Sequence, residues 1–148
     1  MSDQKQYIKI VLKNFMFREL KNDGFKILFK NAVIRTYKLG DIIIKEGDSG
    51  DRFSMVVDGS VTVSTLKDGI PTELAHLKVG AIIGEVAALT GAKRTATITA
   101  AEDSKVIFFH KDALIELTKR YDSLKERFQS VIEARAEQTI NKLINDDE

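Results

Sequence analysis

The spacing of apolar residues changes twice along the chain, and each change marks a different kind of element. At the N-terminus apolar residues recur every three or four positions, which is typical of amphipathic helices. They are Ile8, Val11, Leu12 and Phe15, followed by Leu20, Phe25, Leu28 and Phe29. We therefore predict two short helices within about residues 1–31, with Asn22, Asp23 and Gly24 as the break between them.

Between about residues 32 and 110 the chain consists of short runs rich in β-branched and aromatic residues, each bounded by glycine, aspartate or serine. The runs are AVIRTYKL, DIIIKE, FSMVVD, SVTVSTL, TELAHLK, AII, RTATITAA and SKVIFFH. Closely spaced short strands of this kind predict an all-β barrel or sandwich. Asp68 and Gly69 tolerate positive φ and predict a tight hairpin, so Pro71 belongs at the turn or on an edge strand.

Helical spacing returns after Lys111. Leu114, Ile115 and Leu117 predict one helix, and an apolar stripe on an otherwise charged stretch predicts a longer one from residue 123 to about 145. The stripe consists of Leu124, Phe128, Val131, Ile132, Ala136, Ile140, Leu143 and Ile144. We interpret residues 1–148 as a single domain, with the β region flanked by N-terminal helices and by C-terminal helices in 111–148.

Composition narrows the class of protein. A chain of 148 residues with 43% hydrophobic and 30% charged residues is typical of one soluble domain, and the absence of cysteine excludes disulfides and thiolate metal sites. The polar start MSDQKQ and the short apolar runs predict neither a signal peptide nor a membrane span, so we expect a cytoplasmic protein. The net charge of +1 does not indicate a nucleic-acid binder, and the basic excess of residues 1–45 is interpreted as solvated helix faces.

The stretch GEVAALTGAKRTATI, residues 84–98, places a helix-forming segment between two predicted strands. A helix start offers unpaired N–H groups, and Gly84 with the small Ala87 and Ala88 lets a ligand approach the backbone. Arg94 can give a phosphodiester two charge-assisted hydrogen bonds. Taken singly, each residue also has a structural interpretation: Glu85 suits a first helical turn, and Arg94 suits the protein surface.

Together these residues carry a family resemblance. The stretch IGEVAALTGAKRTATI, residues 83–98, resembles the phosphate-binding cassette of cyclic-nucleotide-binding domains, and LGDIIIKEGDSGDRFSMVVDGSVTV resembles the early strands of that family. The resemblance covers about residues 12–135. It implies an eight-stranded antiparallel jelly-roll barrel in 32–110, flanked by N-terminal helices and a long C-terminal helix. It also implies a non-catalytic receptor for cAMP, with cGMP as the alternative, that needs no metal and no further cofactor.

The resemblance assigns roles within the cassette. Glu85 would accept a hydrogen bond from the ribose 2'-hydroxyl, and Arg94 would pair with the exocyclic phosphate oxygens. Backbone N–H groups at Ala87 and its neighbours Gly84 and Ala88 would surround the same oxygens. The Thr95 hydroxyl would reach the phosphate or the 2-amino group of a syn guanine.

The resemblance assigns the base pocket to strand residues and to the last helix. Val63, Ala75 and Leu77 match positions that line the pocket in channel relatives, although alternation alone is equally consistent with plain core. Arg135 falls where channel relatives place an arginine over the base, and a solvated helix arginine is the alternative. Ligand would favour docking of the C-terminal helix over the base, with a hinge near Arg120 to Ser123.

Three other classes of function are alternatives that the sequence favours less. A cupin-like metalloenzyme shares the strand pattern, but the chain has only His76 and His110, with no H-x-H pair. A DNA-binding regulator needs a helix-turn-helix after the long helix, and since residues 1–148 end at NKLINDDE we expect no DNA binding from them. A ligand-free module of the same fold would dimerise, or dock on an effector domain, through the apolar stripe of helix 123–145.

Overall fold

The computed structural model describes residues 2–14, 16–84, 93–130 and 133–134. Helices α1 (Ser2–Lys13) and α2 (Asn22–Phe29) confirm the two predicted N-terminal helices. The predicted break at Asn22 to Gly24 is wrong, because these residues form the first turn of α2. Gly24 is buried against Leu20 and the ring of Tyr121, so its missing side chain provides room for packing and does not end a helix.

Strands follow at the predicted positions. They are β1 (Val33–Tyr37), β2 (Ile42–Ile44), β3 (Arg52–Asp58), β4 (Ser60–Lys67), β5 (Ile70–Lys78), β6 (Ile82–Ile83), β7 (Thr97–Ala100) and β8 (Ser104–His110). All their pairings are antiparallel. The described strands form two four-stranded sheets, in the orders β1-β8-β3-β6 and β2-β7-β4-β5. The mainly β, jelly-roll class is thus confirmed, with two sheets in place of a closed barrel.

The β4–β5 hairpin has the predicted turn. Asp68 and Gly69 have φ values of 53° and 79°, the positive values that a tight two-residue turn requires. Lys67 pairs with Ile70 directly across this turn. Pro71 lies on β5, which is an edge strand of its sheet, where a missing N–H is tolerated.

Two apolar clusters form the core, and alternate residues of β3 belong to opposite ones. The larger joins the β1-β8-β3-β6 sheet to the helices through four phenylalanines that are almost completely buried, namely Phe17, Phe53, Phe109 and Phe128. The smaller consists of Val56, Val61, Ile83 and Ile98, with Val63 and Leu77 packed against it. The larger cluster holds the flanking helices, and the smaller one lies beside the cassette.

The C-terminal helices break where the sequence predicts a hinge. Helix α3 (Lys111–Arg120) ends at Tyr121, whose backbone is extended, and residues 122–130 are again helical. In that second segment Leu124 and Phe128 are buried in the larger cluster. The other members of the predicted stripe lie outside the described residues; they are Val131, Ile132, Ala136, Ile140, Leu143 and Ile144. Over the ranges that the structure describes, no helix has the length and apolar content to cross a bilayer.

Candidate functional site

Arg94 is fastened by its main chain to the connection between β2 and β3. Its N–H donates to the Asp48 carbonyl at 2.8 Å, and its carbonyl accepts from the Gly47 N–H at 2.9 Å. These bonds place the residue three positions before β7 begins at Thr97. The exit of the cassette is thereby attached to a loop that lies more than 40 residues earlier in the chain.

The Arg94 side chain is held by main-chain carbonyls. Nη1 donates to the Gly84 carbonyl at 2.9 Å, and Nη2 donates to the Arg52 carbonyl at 2.6 Å. A guanidinium has five N–H donors in a fixed plane, so two such bonds set its orientation. Gly84 has a φ of 81°, a conformation that glycine adopts without strain. The site therefore holds a half-buried positive charge between Gly84 and the start of β3.

A carboxylate on the β2–β3 connection fixes the strands beside Arg94. Glu46 accepts a hydrogen bond from the Thr65 hydroxyl at 2.5 Å and another from the Leu66 N–H at 3.1 Å. The Glu46 N–H in turn donates to the Thr97 hydroxyl at 3.0 Å. Thr95 itself is exposed, and its carbonyl lies 3.5 Å from the Thr65 hydroxyl. This network ties the end of β4 to the start of β7.

The strand residues predicted for the base pocket share one part of the β4–β5 hairpin. Val63 lies opposite Ala75, and Leu77 lies opposite Val61. Val63 is also the register partner of Ile98 on β7, only three residues beyond Thr95. Val63 and Leu77 are half-buried against the smaller apolar cluster, so their surroundings are compatible both with core packing and with a wall beside the cassette.

The structure describes six of the predicted site residues, namely Gly84, Arg94, Thr95, Val63, Ala75 and Leu77. It brings Gly84 and Arg94 into direct hydrogen-bonding contact. Glu85, Ala87, Ala88 and Arg135 lie outside the described residues, and so does the predicted helical turn of the cassette. Their roles stay predictions.

Sequence reasoning missed the residues that support Arg94. Arg52 and Asp48 contribute only main-chain carbonyls, which any residue supplies, so their side chains give no indication of the contact. Gly50 lies against the guanidinium, where a side chain would meet Nη2, Nε and Cζ of Arg94. The glycine at position 50 was the sequence signal for this contact, but in the sequence it is indistinguishable from a glycine that a turn requires.

A second polar site joins α2 and the connection before it to the residues around the break after α3. The Tyr121 hydroxyl donates to Asp23 at 2.8 Å, and Glu19 accepts from Arg127 at 2.6 Å and from Ser123 at 3.0 Å. The hydrogen bond from Arg127 holds the pKa of Glu19 below its ordinary value. The hydrogen bond from Tyr121 lowers the pKa of Asp23 in the same way. We call these five residues the hinge junction.

The two histidines lie on different elements of the fold. His110 is the N-cap of α3, where its Nδ1 accepts from the Asp112 N–H at 3.1 Å, and its Nε2 lies 3.5 Å from Asp51. His76 lies on β5. In the part of the chain that the structure describes, no group of three or more His, Cys, Asp or Glu side chains is placed to hold a metal ion.

Comparison with known proteins identifies the family. The family model described as "Cyclic nucleotide-binding domain" matches residues 34–121, more than half of the chain. The chain belongs to the cyclic nucleotide-binding domain family. This match spans both sheets, the connection that holds Arg94 and helix α3, and so agrees with the fold and with the resemblance of residues 83–98.

The curated relatives include kinase regulatory subunits, kinases and a cyclic nucleotide-gated potassium channel. The chain is 33% identical over 104 residues to a cAMP-dependent protein kinase regulatory subunit of Dictyostelium discoideum, covering 70% of this chain and 32% of the relative. It is 29% identical over 126 residues to a cGMP-dependent protein kinase of Caenorhabditis briggsae, covering 78% of this chain and 16% of the relative. The chain thus spans a third or less of these relatives.

Solved structures confirm the fold. The regulatory domain of Toxoplasma gondii PKA, crystallised with cAMP, aligns with a TM-score of 0.75 at 24% identity over 85% of this chain and 48% of that one. The sensor domain of the transcriptional regulator DNR from Pseudomonas aeruginosa aligns with a TM-score of 0.80 at 17% identity over 95% of both chains. At these identities the likeness establishes the architecture alone.

Proposed function

We propose that this domain is a non-catalytic receptor for a cyclic mononucleotide, with cAMP as the preferred ligand and cGMP as the alternative. The observation that carries the proposal is the Arg94 guanidinium, half-buried and oriented by the carbonyls of Gly84 and Arg52 at the base of the family's cassette. The preference for cAMP is supported by the several cAMP-dependent kinase regulatory subunits among the relatives. The cGMP-dependent kinases among them keep cGMP as the alternative.

Arg94 binds the exocyclic oxygens of the cyclic phosphate in this proposal. A guanidinium forms charge-assisted hydrogen bonds with such oxygens, and partial burial strengthens them relative to bulk water. N–H groups of Gly84, Ala87 and Ala88 surround the same oxygens, and the exposed Thr95 hydroxyl adds a further donor.

Glu85 selects the sugar. Its carboxylate accepts a hydrogen bond from the ribose 2'-hydroxyl, which a 2'-deoxy nucleotide lacks. Loss of one hydrogen bond to a charged group costs about 1.5 to 3 kcal/mol, so 2'-deoxy-cAMP should bind roughly 10- to 100-fold more weakly than cAMP. With Glu85→Ala the two nucleotides should bind with nearly equal affinity, and an unreduced preference for cAMP would contradict this role.

The base lies against the half-buried face of the hairpin that carries Val63, Ala75 and Leu77. Arg135 covers it from the last helix. Ligand then stabilises a docked position of the C-terminal helix by its differential affinity for that position. The helix turns about the break at Tyr121, and residues of helix 123–145 transmit the change to an effector domain or to a second copy.

Binding is tested by calorimetry and by thermal shift with cAMP, cGMP and cyclic dinucleotides. Ligand at about 100 times its dissociation constant adds about 2.7 kcal/mol, which is roughly 5 to 10 °C for a domain of this size. Arg94→Ala should weaken cAMP binding roughly 10- to 100-fold. Lys93→Ala is the matched control, because it removes an exposed positive charge from the neighbouring position. If none of the nucleotides raises the unfolding temperature, the receptor function is refuted.

A further inference from the structure

Gly50 is a glycine whose backbone does not require one. Among the residues that the structure describes, six other glycines have positive φ, the region that favours glycine, but Gly50 is not one of them. A Cβ on Gly50 would lie too close to three atoms of the Arg94 guanidinium, Nη2, Nε and Cζ, well inside van der Waals contact. The missing side chain at this position therefore corresponds to the space that the guanidinium occupies.

Three main-chain elements surround that guanidinium. Gly84 contributes a carbonyl to Nη1, and a Cβ on Gly84 would also meet Nη1. Arg52 contributes a carbonyl to Nη2. Gly50 lies against Nη2, Nε and Cζ. We call Gly50, the Arg52 carbonyl and Gly84 the arginine seat.

We propose that Gly50 is a positioning residue for nucleotide binding, which keeps the arginine seat open so that Arg94 faces the phosphate. The proposal rests on the phosphate role proposed for Arg94 above. Gly50 itself does not contact the ligand. It acts by leaving room for the guanidinium to bond with the carbonyls of Gly84 and Arg52, and these two bonds fix the plane of the guanidinium.

A methyl group at position 50 is expected to move Arg94 and to leave the fold intact. The atoms that it would meet belong to the far end of a flexible side chain, which can turn away at small cost. Alanine also adopts the backbone conformation at position 50 without the strain of a positive φ, and it restricts the unfolded chain. The unfolding temperature of the ligand-free protein should therefore be nearly unchanged.

The test is a double-mutant cycle measured by calorimetry with cAMP. Gly50→Ala should weaken binding about tenfold, a smaller loss than that expected for Arg94→Ala. In the Arg94→Ala background, Gly50→Ala should change the affinity by less than about twofold, because the guanidinium that it displaces is absent. Ser49→Ala, an exposed neighbour on the same connection, serves as the control and should bind like the wild type.

Several outcomes would overturn the proposal. They are an unchanged affinity of Gly50→Ala, an equal loss in both backgrounds, or a Gly50→Ala protein that fails to fold without ligand. A second measurement examines the seat in the wild type: the Arg94 Nε–H resonance should be visible at neutral pH and should shift in Gly50→Ala. A resonance that exchanges as fast as those of exposed arginines contradicts the seat. If the wild type binds no cyclic nucleotide, the proposed function fails, and this resonance still tests the seat.

Discussion

Replacing Phe128 with alanine is expected to release the C-terminal segment from the domain. Phe128 is 1% exposed, and its ring centroid lies 6.0 Å from that of Phe17 and 6.4 Å from that of Phe53, in edge-on contacts with both. In the described part of segment 122–130, Leu124 is the other buried apolar residue. The segment therefore depends on two side chains for its apolar contact with the domain.

The size of the effect follows from this burial. Truncation of a buried phenylalanine to alanine costs about 3 to 5 kcal/mol. Because the segment follows a break at Tyr121, it can leave the surface without unfolding α3 or the sheets. The substitution should therefore lower mainly the free energy of docking of the segment, and should lower the free energy of unfolding of the whole domain less. A loss of about 3 to 5 kcal/mol changes the ratio of docked to released molecules by roughly two to four orders of magnitude.

The absence of native cysteine makes this prediction measurable by spin labelling. Cysteines introduced at the exposed positions Lys125 and Lys78 report the distance between the segment and the edge of the sheet. Without ligand, Phe128→Ala should broaden this distance distribution. Gln129→Ala, an exposed neighbour, should leave it as in the wild type.

Two results would refute this reasoning. A distance distribution of Phe128→Ala that matches the wild type would show that the ring does not hold the segment. Loss of the whole β-sheet signal in circular dichroism would show that the ring stabilises the domain as a unit, and that the break at Tyr121 does not isolate the segment.

We expect the unfolding temperature to depend on pH through the hinge junction and on side-chain volume at Gly59, in the turn after β3. Arg127 lowers the pKa of Glu19, so the stability contributed by Glu19 is complete above its ordinary value of 4.5 and is lost as pH falls through the lower folded value. Thermal melts between about pH 5 and pH 3 should therefore depend less steeply on pH in Glu19→Gln, and equal slopes would contradict the ion pair's contribution. Gly59→Ala should lower the unfolding temperature more than Gly69→Ala, because both have positive φ but only a Cβ on Gly59 would meet the main chain and hydroxyl of Ser104. Equal decreases in unfolding temperature would show that backbone strain, and not the contact with Ser104, determines the effect.

Much of this fold could be predicted because its elements have distinct periods. The eight strands of the described residues followed from short β-branched runs, and the Asp68-Gly69 turn followed from the positive φ that these residues tolerate. The order of the strands within each of the two sheets could not be predicted, because strand pairing depends on contacts between residues far apart in sequence. The interpretation of Gly24 failed for a related reason, since the ring that covers it belongs to Tyr121, far along the chain.

The site was predictable to the extent that side chains carry its chemistry. Gly84 and Arg94 were each predicted as phosphate-binding residues of the cassette, and the structure shows a hydrogen bond from Arg94 to the Gly84 carbonyl that was not predicted. The hinge junction was not predicted, because Glu19 and Arg127 are more than 100 residues apart and each is an ordinary surface charge in the sequence. Only the position of the break near Tyr121 was visible, since it interrupts a helical apolar pattern.

The support of Arg94 shows why side chains alone underestimate a binding site. Its guanidinium is oriented by carbonyl groups, and a carbonyl is present whichever residue stands at position 52 or 48. Changes in those side chains are therefore compatible with an unchanged arginine. The constraint falls instead on volume, at the places where the backbone must approach the guanidinium closely, which are Gly50 and Gly84. A substitution of Gly84 would add volume and also strain the backbone, because Gly84 has a positive φ. A substitution of Gly50 adds volume without that strain, so only Gly50 tests the effect of volume by itself.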